Sequence, residues 1–120
     1  MMHKSITIFT VSDVKASLSY HQDKLGFEKA FEYGEPTFYV GLCSGGVQLH
    51  LISASRTPRQ PGHGAVSIFV DDVDGLHDDL VKRGAKVLKA PADYDYGLRD
   101  FDVADLDGNM LFFGMEIPKS

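Results

Sequence analysis

The chain has 120 residues, of which 43% are hydrophobic and 24% are charged, which is the composition of a single folded domain and excludes a disordered or collagen-like chain. The 12 basic and 17 acidic residues leave a net charge of −5, and the scattered basic residues disfavour a nucleic-acid partner. No apolar run reaches the ~20 residues that cross a bilayer, and Cys43 is the single cysteine, so we expect a cytoplasmic protein with no membrane partner.

The first half of the chain has the pattern of a strand, a helix and three more strands. Alternation from Ser5 to Val11 predicts the first strand, and Asp13 or Ser12 can cap a helix that ends before Gly26. Strand-like runs follow at 27–33, 37–43 and 47–53, separated by turn sequences.

The same pattern returns after a segment without periodicity, which has Pro58 and Pro61 and is predicted to be a linker. A strand at 65–70, a helix capped by Asp72 and strands at 86–89, 98–104 and 109–114 follow. The halves repeat at about 60 residues, so we predict a single α+β domain built from two βαβββ modules. Module one spans 5–53, the linker 54–63 and module two 64–116, and the paired modules leave a concave sheet surface.

Alternation also assigns side chains to the two faces of each predicted strand. Phe9 and Val11 are expected beneath the helix, which leaves Ile8 for the concave face. On the last strands, the concave set includes Gln48, His50 and Phe112. Tyr39 aligns with Phe101 in the repeat, and both are predicted to line the cavity.

Several motifs resemble those of the vicinal oxygen chelate superfamily, which includes glyoxalase I, extradiol dioxygenases and bleomycin-resistance proteins. They are Leu25-Gly-Phe27, Val70-Asp-Asp-Val73 and the run from Tyr96 through Gly97, Arg99 and Phe101 to Asn109. The resemblance covers nearly the whole chain. It implies paired βαβββ modules and, commonly, a homodimer whose sheets combine across chains to form two cavities.

Enzymes of this superfamily hold a divalent metal through side chains of the first and last strand of each module. The matching positions here are Ile6, Ala65, His50 and Phe112. Three of these side chains offer no lone pair, and one imidazole does not make up the roughly three protein ligands of a catalytic metal. We therefore expect no metal, no cofactor and no catalytic residue, and the residues favour a protein that is not an enzyme.

What remains resembles the bleomycin-resistance branch, whose members keep the fold, lack the metal and bind a ligand without altering it. The segment with Tyr96, Arg99 and Phe101 matches that branch's aromatic and basic motif, although Leu98 interrupts it. Arg99 could pair with a ligand carboxylate or form a structural salt bridge. His63 between two glycines is expected to be a loop residue.

The sequence thus predicts a metal-free protein that sequesters a small aromatic or cationic ligand in cavities of a homodimer, as in antibiotic resistance. The alternative is a metal-dependent lyase, dioxygenase or transferase of the same superfamily. A cavity filled by its own side chains is a third possibility. The predicted ligand-binding residues are His50, Gln48, Tyr39, Tyr96, Arg99, Phe101 and Phe112.

Overall fold

The computed structural model describes residues 1–118 of the chain, and it contains two βαβββ units in succession. The first comprises β1 (Thr7–Val11), α1 (Val14–Asp23), β2 (Glu28–Tyr33), β3 (Tyr39–Ser44) and β4 (Val47–Ser53). The second comprises β5 (Ala65–Phe69), α2 (Val73–Arg83), β6 (Lys86–Asp93), β7 (Leu98–Ala104) and β8 (Met110–Glu116). The predicted α+β architecture is therefore confirmed, although β6 extends beyond its predicted end.

Each unit forms its own four-stranded mixed sheet. The strand order is β1-β4-β3-β2 in the first sheet and β5-β8-β7-β6 in the second. The first strand of each unit lies parallel to its last strand, with Ile8 opposite His50 and Ser67 opposite Phe112. These four residues consequently occupy equivalent places near the middle of the two sheets.

Both helices begin at an aspartate, as the sequence predicts. The carboxylate of Asp13 accepts hydrogen bonds from the backbone N–H groups of Lys15 and Ala16, and that of Asp72 accepts one from Gly75. These bonds satisfy donors that the first turn of a helix leaves free. Gly84 ends α2 with a φ of 85°, a left-handed conformation that favours glycine. Each helix packs against strands of its own sheet.

The helix-covered sides of the two sheets meet in one continuous apolar core. In β1 and β4, the fully buried residues are Phe9, Val11, Leu49 and Leu51, and Leu111 of β8 belongs to the same core. The opposite face of each sheet is left open. Burial of apolar surface stabilises this arrangement by about 25 cal/mol for each Å² removed from water.

Polar contacts join the two halves at the edge of this core. The Asn109 side chain donates from Nδ2 to the Thr10 carbonyl at 3.1 Å, and its Oδ1 accepts from Gly64 N–H at 2.8 Å. The Tyr20 hydroxyl donates to the Ala104 carbonyl at 2.7 Å. The halves therefore form one packed body. Within residues 1–118, neither helix is long and apolar enough to span a membrane.

Candidate functional site

The open face of the first sheet is lined by alternate residues of β1, β3 and β4. Ile8, His50 and Gly41 lie side by side on neighbouring strands, because His50 is the register partner of both other residues. Tyr39 follows on the same face of β3. Ile8 is 52% exposed although it lies within a strand, so the middle of this face is an apolar surface open to solvent.

Three rings meet on this face, and we call Phe31, Tyr39 and His50 the aromatic cluster. Phe31 stacks on Tyr39 with ring centroids 6.2 Å apart and an interplanar angle of 11°. The His50 ring stands edge-on to both, with centroid distances of 5.3 Å to Phe31 and 5.2 Å to Tyr39. These are favourable arrangements for aromatic pairs, each contributing about 1 kcal/mol. The cluster offers ring edges and faces on which a planar molecule can stack.

Gly41 makes room for the cluster. It lies opposite Phe31 across β2 and β3, and a Cβ atom built on Gly41 would collide with the Phe31 ring. Any larger residue would therefore displace Phe31. The absent side chain at Gly41 is what allows the Phe31 ring to lie directly over this position of β3.

A hydrogen bond fixes the orientation of His50. Its Nδ1 lies 2.8 Å from the Tyr39 hydroxyl oxygen, so Nε2 is the ring nitrogen that can contact a ligand. Burial lowers the pKa of His50, and the nearby positive charge of Lys4 lowers it further. Burial also raises the pKa of Tyr39. Both groups are therefore neutral at pH 7.

A groove of about 390 Å³ adjoins the cluster beside β1. The segment between the two halves forms its outer wall, and β1 forms its floor. Ile8 lines the groove and is the register partner of His50, so the groove begins on the strand next to that of His50. Its lining residues are Ile8, Thr10, Arg59, Gln60, His63 and Gly64.

The open face of the second sheet has different chemistry. Tyr96 donates a hydrogen bond from its hydroxyl to Asp100 Oδ2 at 2.6 Å, which raises the pKa of Tyr96 to about 12. Lys89 Nζ lies 3.5 Å from Asp100 Oδ1 and 4.2 Å from the centre of the Tyr94 ring. Phe112 lies in the middle of this face beside Ser67. This face combines aromatic rings with charged groups.

Two residues predicted to bind ligand lie on the opposite, helix-covered side. Phe101 is 0% exposed and stacks on Phe113 in the core, and Arg99 pairs with Asp74 of α2 at 2.8 Å. The predicted cavity position of Phe101 is therefore wrong, whereas Arg99 forms the kind of structural salt bridge that the sequence left open. In the aligned registers Phe101 corresponds to Val40, not to Tyr39, and a slip of one residue moves a side chain to the other face of a sheet.

The other predicted residues fall into two groups. His50, Tyr39 and the exposed Gln48 lie on the open face of the first sheet, whereas Tyr96 and Phe112 lie on that of the second. The five residues thus lie on the open faces of two different sheets. Their contact with a ligand stays a prediction.

The sequence did not predict that Phe31 would belong to the site, nor that the segment between the halves would line a groove beside it. Phe31 follows a β-bulge that interrupts the alternation of β2, so a strict period of two does not place it on the open face. The small Gly41 opposite it was the available signal. Arg59, Gln60 and His63 come from a segment without periodicity, whose position depends on how the halves pack.

The residues at the middle of the sheets do not fit the superfamily's metal. The equivalent positions Ile8, His50, Ser67 and Phe112 supply one imidazole and one hydroxyl, which is too few donors for a catalytic divalent ion. Among residues 1–118, no three His, Cys, Asp or Glu side chains come close enough to hold a metal ion. The first-strand residues Ile6 and Ala65 add no donor.

Two repeated βαβββ units with open sheet faces define a class of proteins in which one scaffold serves both enzymes and ligand-binding proteins. The chain belongs to the Glyoxalase/Bleomycin resistance protein/Dioxygenase superfamily, whose family model matches residues 5–113. It is 29% identical over 133 aligned positions to the bleomycin resistance protein of Geobacillus stearothermophilus, an alignment that covers 97% of this chain and 98% of that protein.

Solved structures show the same relationship. A superfamily member from Sphaerobacter thermophilus has a TM-score of 0.82 and 28% identity, covering 97% of this chain and 98% of that one. The bleomycin-binding protein of Streptomyces verticillus, solved with copper(II)-bleomycin, has a TM-score of 0.78 and 26% identity, covering 94% and 95% of the two chains. The fold expected from the motifs is confirmed.

Proposed function

We propose that this protein binds and sequesters a small molecule with a planar aromatic ring, and does not transform it. The main support for this proposal is the aromatic cluster of Phe31, Tyr39 and His50 on an open sheet face. The rings are held by one another and by the Tyr39–His50 hydrogen bond, so a ligand meets a preformed surface. No bond-making group is needed for such binding.

The donor chemistry supports binding over metal-dependent catalysis. Ile8 and Phe112 occupy two of the four central positions and cannot coordinate an ion. The named relatives include bleomycin resistance and bleomycin-binding proteins. A role in antibiotic resistance is accordingly part of the proposal, with an aromatic antibiotic as the ligand.

A homodimer would complete the cavities. Phe69 and Tyr96 on the second sheet are 62% and 60% exposed, and Phe31 on the first is 41% exposed. Large apolar side chains exposed on two sheet faces favour an interaction surface. We propose that each face meets a face of a second copy and that the dimer acts in the cytoplasm. Sedimentation at micromolar concentration tests this assembly, and a monomer throughout would contradict it.

Binding is tested with a neutral aromatic probe, 2-naphthalenemethanol, titrated by calorimetry. We expect saturable binding to the wild-type protein and affinity about tenfold weaker in Phe31→Ala and His50→Ala, because each removes one ring contact with the probe. Screening bleomycin and other aromatic antibiotics by thermal shift then extends the test to larger ligands, since a bound ligand raises the melting temperature.

A matched control is His77→Ala, which removes an imidazole that packs on Phe101 beneath the second sheet. It should leave probe affinity unchanged in the folded protein. Equal weakening in all three variants would contradict the assignment of the site. Stoichiometric Zn, Ni, Mn or Fe in the purified protein would instead support the metal-dependent alternative.

A further inference from the structure

The segment between the two halves differs in charge from the rest of the molecule. Residues 54–64 contain Arg56, Arg59 and His63 but no aspartate or glutamate, whereas the whole chain has a net charge of −5. Arg56 forms a cation–π contact, with its guanidinium 4.1 Å from the centre of the Phe38 ring. Arg59 forms no salt bridge with any carboxylate of residues 1–118. A cationic group at the groove is thus left without a counter-charge.

Arg59 places this positive charge at the groove, close to the aromatic cluster. Arg59 and His63 line the groove of about 390 Å³ whose floor is Ile8 and Thr10. Ile8 is the register partner of His50, and adjacent strands lie about 4.8 Å apart, so the groove begins one strand away from the aromatic cluster. A ring stacked on the cluster would therefore place a substituent pointing towards β1 within the groove.

The acidic residues near this surface form other contacts and no salt bridge with Arg59 within residues 1–118. Asp107, at the junction of the halves, accepts hydrogen bonds from the Ser12 backbone N–H at 3.2 Å. Glu28 is the register partner of Cys43 on β2, three strands away from β1 in the sheet order. The positive charge of Lys4 lies near His50 and adds to that of Arg59. The first sheet's open face thus has two cations nearby, Arg59 at the groove and Lys4 near His50.

We infer that the groove is a subsite for an anionic group and that Arg59 selects aromatic ligands that carry a carboxylate or sulfonate. This inference rests on the proposed function, because the ring must stack on the aromatic cluster for its acid to reach the groove. The guanidinium would donate paired hydrogen bonds to the acid, and the ring nitrogens of His63 offer a further donor. The second sheet, with Asp100 and Asp102 on its face, would not favour such a ligand.

Three naphthalene probes of one ring system test the subsite. They are 2-naphthoate, neutral 2-naphthalenemethanol and cationic 2-naphthylmethylamine, each titrated against the wild-type protein in 0.15 M salt at pH 7.5. We expect the acid to bind about tenfold more tightly than the alcohol, because a charge-assisted contact is added, and the amine to bind more weakly.

Arg59→Gln should remove the preference for the acid, measured as the ratio of the acid and alcohol affinities within the same variant. Arg56→Gln is the matched control, since it removes an arginine of the same segment that does not line the groove. The preference for the acid should persist in this control.

The outcomes separate the subsite from the proposed function. If the alcohol binds but the acid gains nothing, or if the amine binds best, the anion subsite is wrong and ring binding stands. If Arg59→Gln keeps the full preference for the acid, Arg59 is not the selecting residue and the inference is overturned. If none of the three probes binds, both proposals fail.

Discussion

The two sheets of this protein share one register and differ in what they present to solvent. In the first sheet, Tyr39 and Gly41 lie beside His50, and the face is neutral and aromatic. At the equivalent places of the second sheet, Asp100 and Asp102 lie beside Phe112, and Lys89 pairs with both carboxylates. The backbone repeat therefore does not extend to the chemistry of the open faces.

The helix-covered sides do not show this contrast. Leu49 and Leu51 of β4 correspond to Leu111 and Phe113 of β8, and all four are buried apolar residues. Packing against a helix allows only apolar side chains of suitable volume on that side. The buried sides therefore define the fold, whereas the open faces are where the two halves can differ in function.

The largest expected effect is a difference in stability between substitutions on the two faces of the second sheet. Phe101→Ala should lower the free energy of unfolding by about 3–5 kcal/mol, because it leaves a cavity in the core. Phe112→Ala on the open face should cost only about 1 kcal/mol, since part of this ring is already exposed. Urea denaturation of both variants measures the difference. Equal losses would contradict the separation of the two faces.

A smaller effect on stability should come from pH, and it should depend more on His21 at the junction of the halves than on His50 on the open face. His21 is fully buried beside Asp105, and burial lowers its pKa although Asp105 opposes the change. The unfolded chain therefore takes up a proton more readily, so stability is retained above pH 6.5 and falls as the pH is lowered below it. His50 has the same direction but is less buried.

We expect the free energy of unfolding to fall between pH 7 and pH 5, measured by urea denaturation at each pH. His21→Gln should flatten this dependence more than His50→Gln does. A dependence unchanged by His21→Gln would show that other groups cause it.

The smallest effect concerns Arg99. Its salt bridges to Asp74 and Asp93 are partly exposed, and such pairs contribute at most about 1 kcal/mol. Arg99→Gln should therefore change stability little and leave the affinity for 2-naphthalenemethanol at the wild-type value, because its side chain lies on the covered side. A tenfold loss of affinity would restore Arg99 to the site.

Local rules predicted much of the fold. Asp13 and Asp72 cap the two helices as expected, and alternation correctly placed Phe9 in the core and left Ile8 exposed. The repeat aligned the strands but not to the residue, so Phe101 was assigned to the wrong face. The number of residues that separates equivalent positions of the two halves is not constant along the chain. Because side chains alternate between the two faces of a strand, an alignment error of one residue assigns a side chain to the wrong face.

The site was harder to predict because its parts depend on tertiary structure. The bulge before Phe31 changes the face on which that ring lies, and Gly41 matters only because Phe31 lies across it. Arg59 and His63 approach Ile8 because the halves pack together, which no local pattern encodes. The predictions for His50 and Tyr39 placed both on the open face of the first sheet, where they form a hydrogen bond.

The Asn109 amide has a consequence for chain connectivity. It ties the Thr10 carbonyl of the first half to the Gly64 backbone of the second, next to the segment that joins them. Cohesion of the halves consequently resides in the shared core and in polar contacts such as this amide and the Tyr20–Ala104 hydrogen bond, rather than in the covalent tether. A protease nick near Pro58 would leave two fragments still associated, and new termini introduced there by circular permutation would be tolerated.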